Sequence, residues 1–128
     1  SLGIGFAIPI NLVRKVVDEV EKYGRVRTAY PGMQIQEVTP EIARRLGWED
    51  GGGVVVTRVE AEGPADKAGV KVRDRFQKVN GLAVRGIEDA RRAMYGLQVG
   101  DVLDVTVSRD GKELRLRIVL GEAPKAEQ

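Results

Sequence analysis

The chain has no histidine and no cysteine among its 128 residues, and only 5% of them are aromatic. Without histidine it lacks the usual general base, the usual proton shuttle and the commonest metal ligand, so no His-dependent catalytic triad can be built from it. Without cysteine, disulfides and thiolate metal sites are excluded, which fits a reducing compartment or an extracytoplasmic bacterial protein that does without disulfides. No run approaches the ~20 apolar residues of a membrane helix, and residues 2–10 lack the basic flank and small-residue cleavage site of a signal peptide. The chain is therefore expected to begin inside a longer protein. Lys and Arg number 21 against 19 Asp and Glu, spread along the chain rather than blocked. With so few aromatics to stack on bases, a nucleic-acid interface is not expected. What is present is 42% hydrophobic residues in a length typical of one domain, enough for a real core.

Residues 2–9 form a mostly apolar strand pattern stopped by Pro9, with no obvious partner strand in the rest of the chain. Next, Asn11 is placed to cap a helix whose Leu12, Val13, Val16, Val17, Val20 and Tyr23 fall on one stripe, ended by Gly24 and expected to pack on a neighbouring core. The rest reads as β-rich with short helices, one compact unit over residues 25–121. A strand runs from Met33 to Val38; Thr39 caps a short helix with Pro40 at its first position and Gly47 as its stop. Three glycines at 51–53 precede the β-branched strand 54–59. No Gly-Lys-Ser/Thr and no helix comes after them, so they do not make a phosphate loop. Residues 64–69 read as a short helix, and strands 76–79 and 82–84 flank the turn Asn80-Gly81. Ile87, Ala90, Met94 and Leu97 mark a second longer helix, with Ala90, Ala93 and Leu97 assigned to the core. Strands 102–108 and 113–120 form a hairpin across residues 109–112 in which Leu114, Leu116, Ile118 and Leu120 face one way and Arg115 and Arg117 the other. Residues 122–128 are a polar tail, expected to be disordered.

The stretch Arg27-Thr28-Ala29-Tyr30-Pro31-Gly32-Met33-Gln34-Ile35 carries the most chemistry. Pro31 fixes its own φ and Gly32 is free to take positive φ, so the turn can aim N–H groups at one point and hold an anion such as a terminal carboxylate. The strand after it can add an extended peptide along its edge. The competing reading is an ordinary surface turn entering an ordinary strand.

The order of the pieces extends this. Tyr-Pro-Gly-Met and a strand, then Gly-Gly-Val-Val-Val-Thr-Arg-Val, Gly-Pro-Ala-Asp-Lys-Ala-Gly-Val, Val-Asn-Gly, a helix and Val-Ser-Arg-Asp-Gly-Lys together resemble the PDZ domain of HtrA-type serine proteases. The resemblance covers residues 25–121, and residues 1–24 look like the last protease-domain strand followed by the interdomain linker. It implies a mainly β, α+β fold of the circularly permuted bacterial kind: a small, partly open β-barrel capped by helices, with the carboxylate loop first and its strand partner last. It also implies that Tyr30, Pro31, Gly32 and Met33 are the carboxylate-binding loop, that Gln34, Ile35 and Gln36 pair with the peptide, and that Ile87, Arg91, Met94 and Tyr95 are the helical wall of the groove. Met33, Ile35 and Met94 would line the pocket for the last side chain; taken singly, each reads equally as core. Arg25 or Arg27 could assist the carboxylate or be solvated linker charge. The family's Arg-Gly before the loop aromatic is here Thr28-Ala29. Pro31 stands where a bulky aliphatic residue is common and removes one N–H from the cradle, and the usual Pro-Gly-Asp-Val-Ile turn is Val72-Arg73-Asp74-Arg75-Phe76.

The function implied is recognition of C-terminal residues of misfolded or substrate proteins, to feed or regulate a neighbouring protease in the periplasm or another extracytoplasmic bacterial space. The partners are peptides with an apolar last residue and the protein's own protease domain, with no nucleic acid, no membrane span in this chain and no cofactor. The parent would be a serine endopeptidase, yet this chain carries no Gly-x-Ser-Gly-Gly and no histidine, so it is not expected to hydrolyse anything itself. The alternative is a structural interaction domain that assembles protease oligomers without reading peptides. The unpartnered strand at residues 2–9 could mimic that role artificially by pairing with another chain, so a dimer formed through it is not evidence for this alternative.

Overall fold

The computed structural model describes residues 9–48 and 51–124. The strand expected over residues 2–9 thus lies outside the described residues, except for Pro9. The described chain runs α1 (Ile10–Tyr23), β1 (Ala29–Tyr30), β2 (Met33–Val38), α2 (Pro40–Arg45), β3 (Gly53–Val59), α3 (Pro64–Ala68), β4 (Arg75–Val79), β5 (Leu82–Ala83), α4 (Ile87–Met94), β6 (Val102–Arg109), β7 (Lys112–Val119) and β8 (Gly121–Glu122). All described pairings are antiparallel. The main sheet has the order β2-β3-β4-β6-β7, with β5 attached to β4, while β1 pairs separately with β8. The barrel expected from the resemblance is left open rather than closed.

Local chemistry explains most element ends. The amide of Ile42 donates to Thr39 Oγ1 at 3.3 Å, which caps α2 as expected, and Pro40 sits where its missing N–H is harmless. Asn80 and Gly81 take φ of 49° and 81°, and Asp110 and Gly111 take 52° and 77°, the left-handed pairs that tight hairpins need. Asn80 also accepts a bond from the amide of Asp104 at 2.9 Å, tying that turn to β6. A Cβ on Gly52 would run into the carbonyl oxygen of Val38, so Gly52 serves close backbone packing.

The core lies between the main sheet and the helices. Val54, Val56, Phe76, Leu103, Val105, Val107, Ile118 and Leu120 point inward from the alternating strands, and Ala65, Val70, Ala90 and Ala93 close it from the helical side. The register Leu114↔Val107, Leu116↔Val105 and Ile118↔Leu103 puts the apolar set of β7 against that of β6 and leaves Arg115 and Arg117 outside, as the alternation implied. Leu97 packs against the core from its rim.

Three expectations are corrected. Asn11 does not cap α1: the amides of Leu12 and Val13 donate to the Pro9 carbonyl, and Asn11 lies exposed inside the helix. The stripe on α1 does not pack on the described core; Val13, Val16, Val17, Val20 and Tyr23 are all exposed. Glu122 and Ala123 are not part of a disordered tail, because Glu122 belongs to β8 and the amide of Ala123 donates to Thr28 O at 2.9 Å.

Among the described residues, polar bonds tie α1 to the domain, beside the half-buried Leu12. Glu19, although on a helix surface, is only 8% exposed because Arg27 covers it. Arg27 bonds Glu19 Oε1 and Oε2 from Nη2 and Nε at 2.8 and 3.0 Å, adds its backbone amide at 3.1 Å, and lies 3.7 Å over the Tyr23 ring. Gln98 Nε2 donates to Lys15 O at 3.1 Å from the far side. The Arg27 bonds hold the Glu19 carboxyl at about 2, against 4.5 for the free side chain, outweighing its partial burial. A depressed carboxyl stabilises fully above its unfolded value and loses that contribution as pH falls toward the folded one. Acidification from pH 4.5 towards 2 is therefore expected to release α1 before the sheet unfolds. Amide hydrogen exchange would show this as lost protection in residues 10–23 alone. Equal loss across β6 and β7 would contradict it.

Candidate functional site

The turn between β1 and β2 is fixed from behind. β1 is pinned by pairing Ala29↔Glu122 and Tyr30↔Gly121, so the strand partner of this loop comes last in the chain, as the resemblance implied. The Tyr30 hydroxyl donates to the Glu60 carboxylate, and that bond, with some burial, raises the phenol above its ordinary value. Pro31 O accepts from the amide of Ala65 and Gly32 O from the amide of Glu60, both at 2.9 Å. Gly32 is buried with φ 76°, and among the described residues its own N–H donates to nothing. Both carbonyls of the turn are thus spent on the body of the domain, and an amide is left for something else.

β2 continues from that turn as the end strand of the main sheet, paired among the described residues with β3 alone. Its other edge looks across a groove at α4. Met33 and Ile35 turn inward, while Gln34 and Gln36 are exposed on the outer side. Beneath the groove lies a cavity of about 250 Å³. Pro31, Met33 and Ile35 line one wall, Ala90, Arg91 and Met94 the other, and Phe76, Val79, Leu103 and Val105 the floor. An apolar cavity of ~150 Å³ already admits a benzene-sized group, so this one can take a large aliphatic or aromatic side chain. Ile87 is half-buried at the start of α4, and Arg91 is exposed with Glu88 Oε1 at 2.9 Å. Tyr95 ends the helix 72% exposed and does not line the cavity.

The two walls are joined by a residue that sequence reasoning missed. α4 begins after Gly86, which has no side chain to offer as a cap. Glu37, on the same face of β2 as Met33 and Ile35, supplies it from across the groove: its Oε1 accepts from the amide of Ile87 at 2.8 Å. Asp89 accepts from the amides of Arg85 and Gly86, which lower its carboxyl below the usual range. Glu37 gave no signal in the sequence, because the amide it caps lies 50 positions away on another element. Arg25 and Arg27 are engaged elsewhere, with Glu122 and Glu19.

An anion-ready turn, an open strand edge and a facing helix over an apolar hole recur in one known architecture. The family model described as PDZ domain matches residues 25–120. The chain belongs to the PDZ family.

Its relatives are HtrA-type proteases. This PDZ chain is 36% identical over 124 residues to a probable periplasmic serine endoprotease DegP-like of Rhizobium meliloti, covering 97% of this chain and 25% of that protein. A protein of the same description from Rickettsia conorii is 34% identical over 118 residues, covering 92% and 23%. The solved structure of the HtrA-type protease AlgW with decapeptide superposes with a TM-score of 0.70 at 30% identity, covering 98% of this chain and 39% of that one. The HtrA3 PDZ domain bound to a phage-derived ligand shares the fold, with a TM-score of 0.63 at 22% identity over 73% of this chain and 85% of that one. The chain spans about a quarter of the length of the curated relatives it matches. These relatives place the PDZ domain among periplasmic or otherwise extracytoplasmic bacterial proteins. Among the described residues no helix is long and apolar enough to cross a membrane.

Proposed function

We propose that this PDZ domain captures the C-terminal residues of misfolded or substrate proteins and thereby feeds or regulates a serine endopeptidase domain in the same polypeptide. The observation that carries the reading is the Gly32 turn. Its carbonyls are held inward and, among the described residues, its amide is left over at the head of an unpaired strand edge that borders an apolar cavity. A peptide added along β2 gains main-chain bonds and places its last side chain between Met33, Ile35 and Met94, so an apolar last residue is preferred. Two unbranched methionine side chains adapt to several shapes, which makes that preference broad. The loop of Tyr30, Pro31, Gly32 and Met33 takes the carboxylate through the amides of Gly32 and Met33, and Gln34, Ile35 and Gln36 pair with the peptide. Affinity is expected near ~1 µM, since a short peptide is ordered on binding. Peptides bound to related proteins support the reading.

The test is fluorescence polarisation with short apolar-ended peptides, each prepared as free acid and as C-terminal amide. Tighter binding of the free acids, by about tenfold or more, is expected from the charge-assisted bonds to backbone N–H groups that the amides cannot make. Equal binding would reduce the turn to a plain turn and favour a structural role, for which the exposed apolar face of α1 offers a surface.

A further inference from the structure

A second cavity, of about 220 Å³, lies on the outer side of β2 and is bounded by Tyr30, Gly32, Met33, Gln34, Arg58 and Glu60. We propose that it is a subsite for the side chain of the penultimate peptide residue, and that the side chain it selects is a carboxylate. This rests on the peptide-binding reading above and deepens it.

Side chains along a strand alternate between faces, so a peptide that buries its last side chain in the apolar cavity must turn its penultimate side chain to the other face of the sheet. That face is the one presented by Gln34 and, directly opposite it on β3, Arg58. Here β3 carries an extra residue, Thr57, whose hydroxyl donates to Gln34 O at 3.3 Å, so Gln34 and Arg58 are held in register where the ladder shifts. The added peptide strand would lie two strand spacings from β3, about 9–10 Å, a gap that an arginine and an acidic side chain together span across Gln34.

The charges decide the sign. Of the two ionised groups bordering the cavity, Glu60 accepts the hydroxyl bond from Tyr30, a phenol that this bond keeps protonated. Arg58 is exposed on its strand and makes no ion pair or side-chain hydrogen bond with any described residue. Both groups keep their charge, but the Glu60 carboxylate is engaged by Tyr30 whereas the Arg58 donors are unused among the described residues, and these planar donors suit a carboxylate.

The experiment uses the 128-residue chain and free-acid peptides that differ only in a penultimate Asp, Ala or Lys. Polarisation titrations at low salt are run on the wild type, on Arg58→Ala and on Arg58→Glu. Because Arg58 is exposed, neither substitution opens a cavity in the fold. The penultimate Asp is expected to bind about twofold to fivefold tighter than Ala, the range of an exposed ion pair. That ratio should fall to one in Arg58→Ala and reverse in favour of Lys in Arg58→Glu. An Asp-to-Ala ratio unchanged by Arg58→Ala overturns the proposal, and so does a wild-type preference for Lys, which would assign the contact to Glu60. Failure of the underlying reading looks different: free acids and amides then bind alike, or neither binds, whatever the penultimate residue, and both proposals fall together.

Discussion

Replacing Gly32 by alanine is expected to weaken free-acid peptide binding by about tenfold or more and to destabilise the domain by about 2–4 kcal/mol. The residue sits at φ 76°, where an L side chain is strained by roughly 1–2 kcal/mol. Its added Cβ would also stand 2.7 Å from Pro64 Cδ and 3.1 Å from the Pro64 backbone nitrogen. Pro64 cannot retreat, because α3 is anchored by Ala65, fully buried, whose amide holds the Pro31 carbonyl. The turn must move instead, and any movement that relieves the clash redirects the Gly32 amide. Gly47→Ala provides the control: its φ is 79° with nothing within 4 Å of the new Cβ. It should show backbone strain alone and leave peptide affinity unchanged. Urea denaturation read beside the polarisation titration separates the two effects. A Gly32→Ala protein matching Gly47→Ala in stability and binding at wild-type affinity would contradict the assigned role of the cradle.

How much of this was legible in the sequence depended on how far each signal travels along the chain. Turns were legible because their chemistry is local: Asn80-Gly81 and Asp110-Gly111 have few backbone options, and Thr39 can reach the amide it caps. The apolar faces of β7 and α4 were legible because alternation and helical spacing run for several residues. β1 and β8 escaped because each is only two residues long, too short for any period, and each exists only by pairing with the other. The Glu37 cap joins positions 50 apart, and Gly86 gives no hint that its helix is capped from another element. Arg58 looks like any solvated arginine until the register sets it opposite Gln34. The stripe on α1 was read correctly as a stripe. Its exposure is a property of the surroundings, which no helical period contains.

The largest stability effect is expected at Arg109, far from the groove. Asp74 is 1% exposed, and Arg109 grips it with Nε and Nη2 at 2.8 and 2.7 Å, while the amide of Lys71 donates to it at 2.8 Å. Arg109 Nη2 also donates to Gly69 O at 2.7 Å, so one guanidinium joins the end of β6 to the turn before β4 and to the end of α3. Removing it as Arg109→Ala leaves a buried carboxylate with only a backbone partner, a class of change that costs about 3–5 kcal/mol. The pair itself need not be a net source of stability, since both charges were desolvated to form it. Combining Arg109→Met with Asp74→Asn removes both charges, keeps a carboxamide oxygen for the Lys71 amide, and should recover more than half of the loss. A single substitution costing less than about 1 kcal/mol, the scale of an exposed pair, would show that water reaches Asp74 after all. The consequence reaches the ligand site because α3 carries Pro64 and Ala65, the two residues that hold the back of the carboxylate turn. Arg109→Ala is therefore expected to weaken peptide binding as temperature rises, well before global unfolding, whereas the double variant should bind as the wild type does.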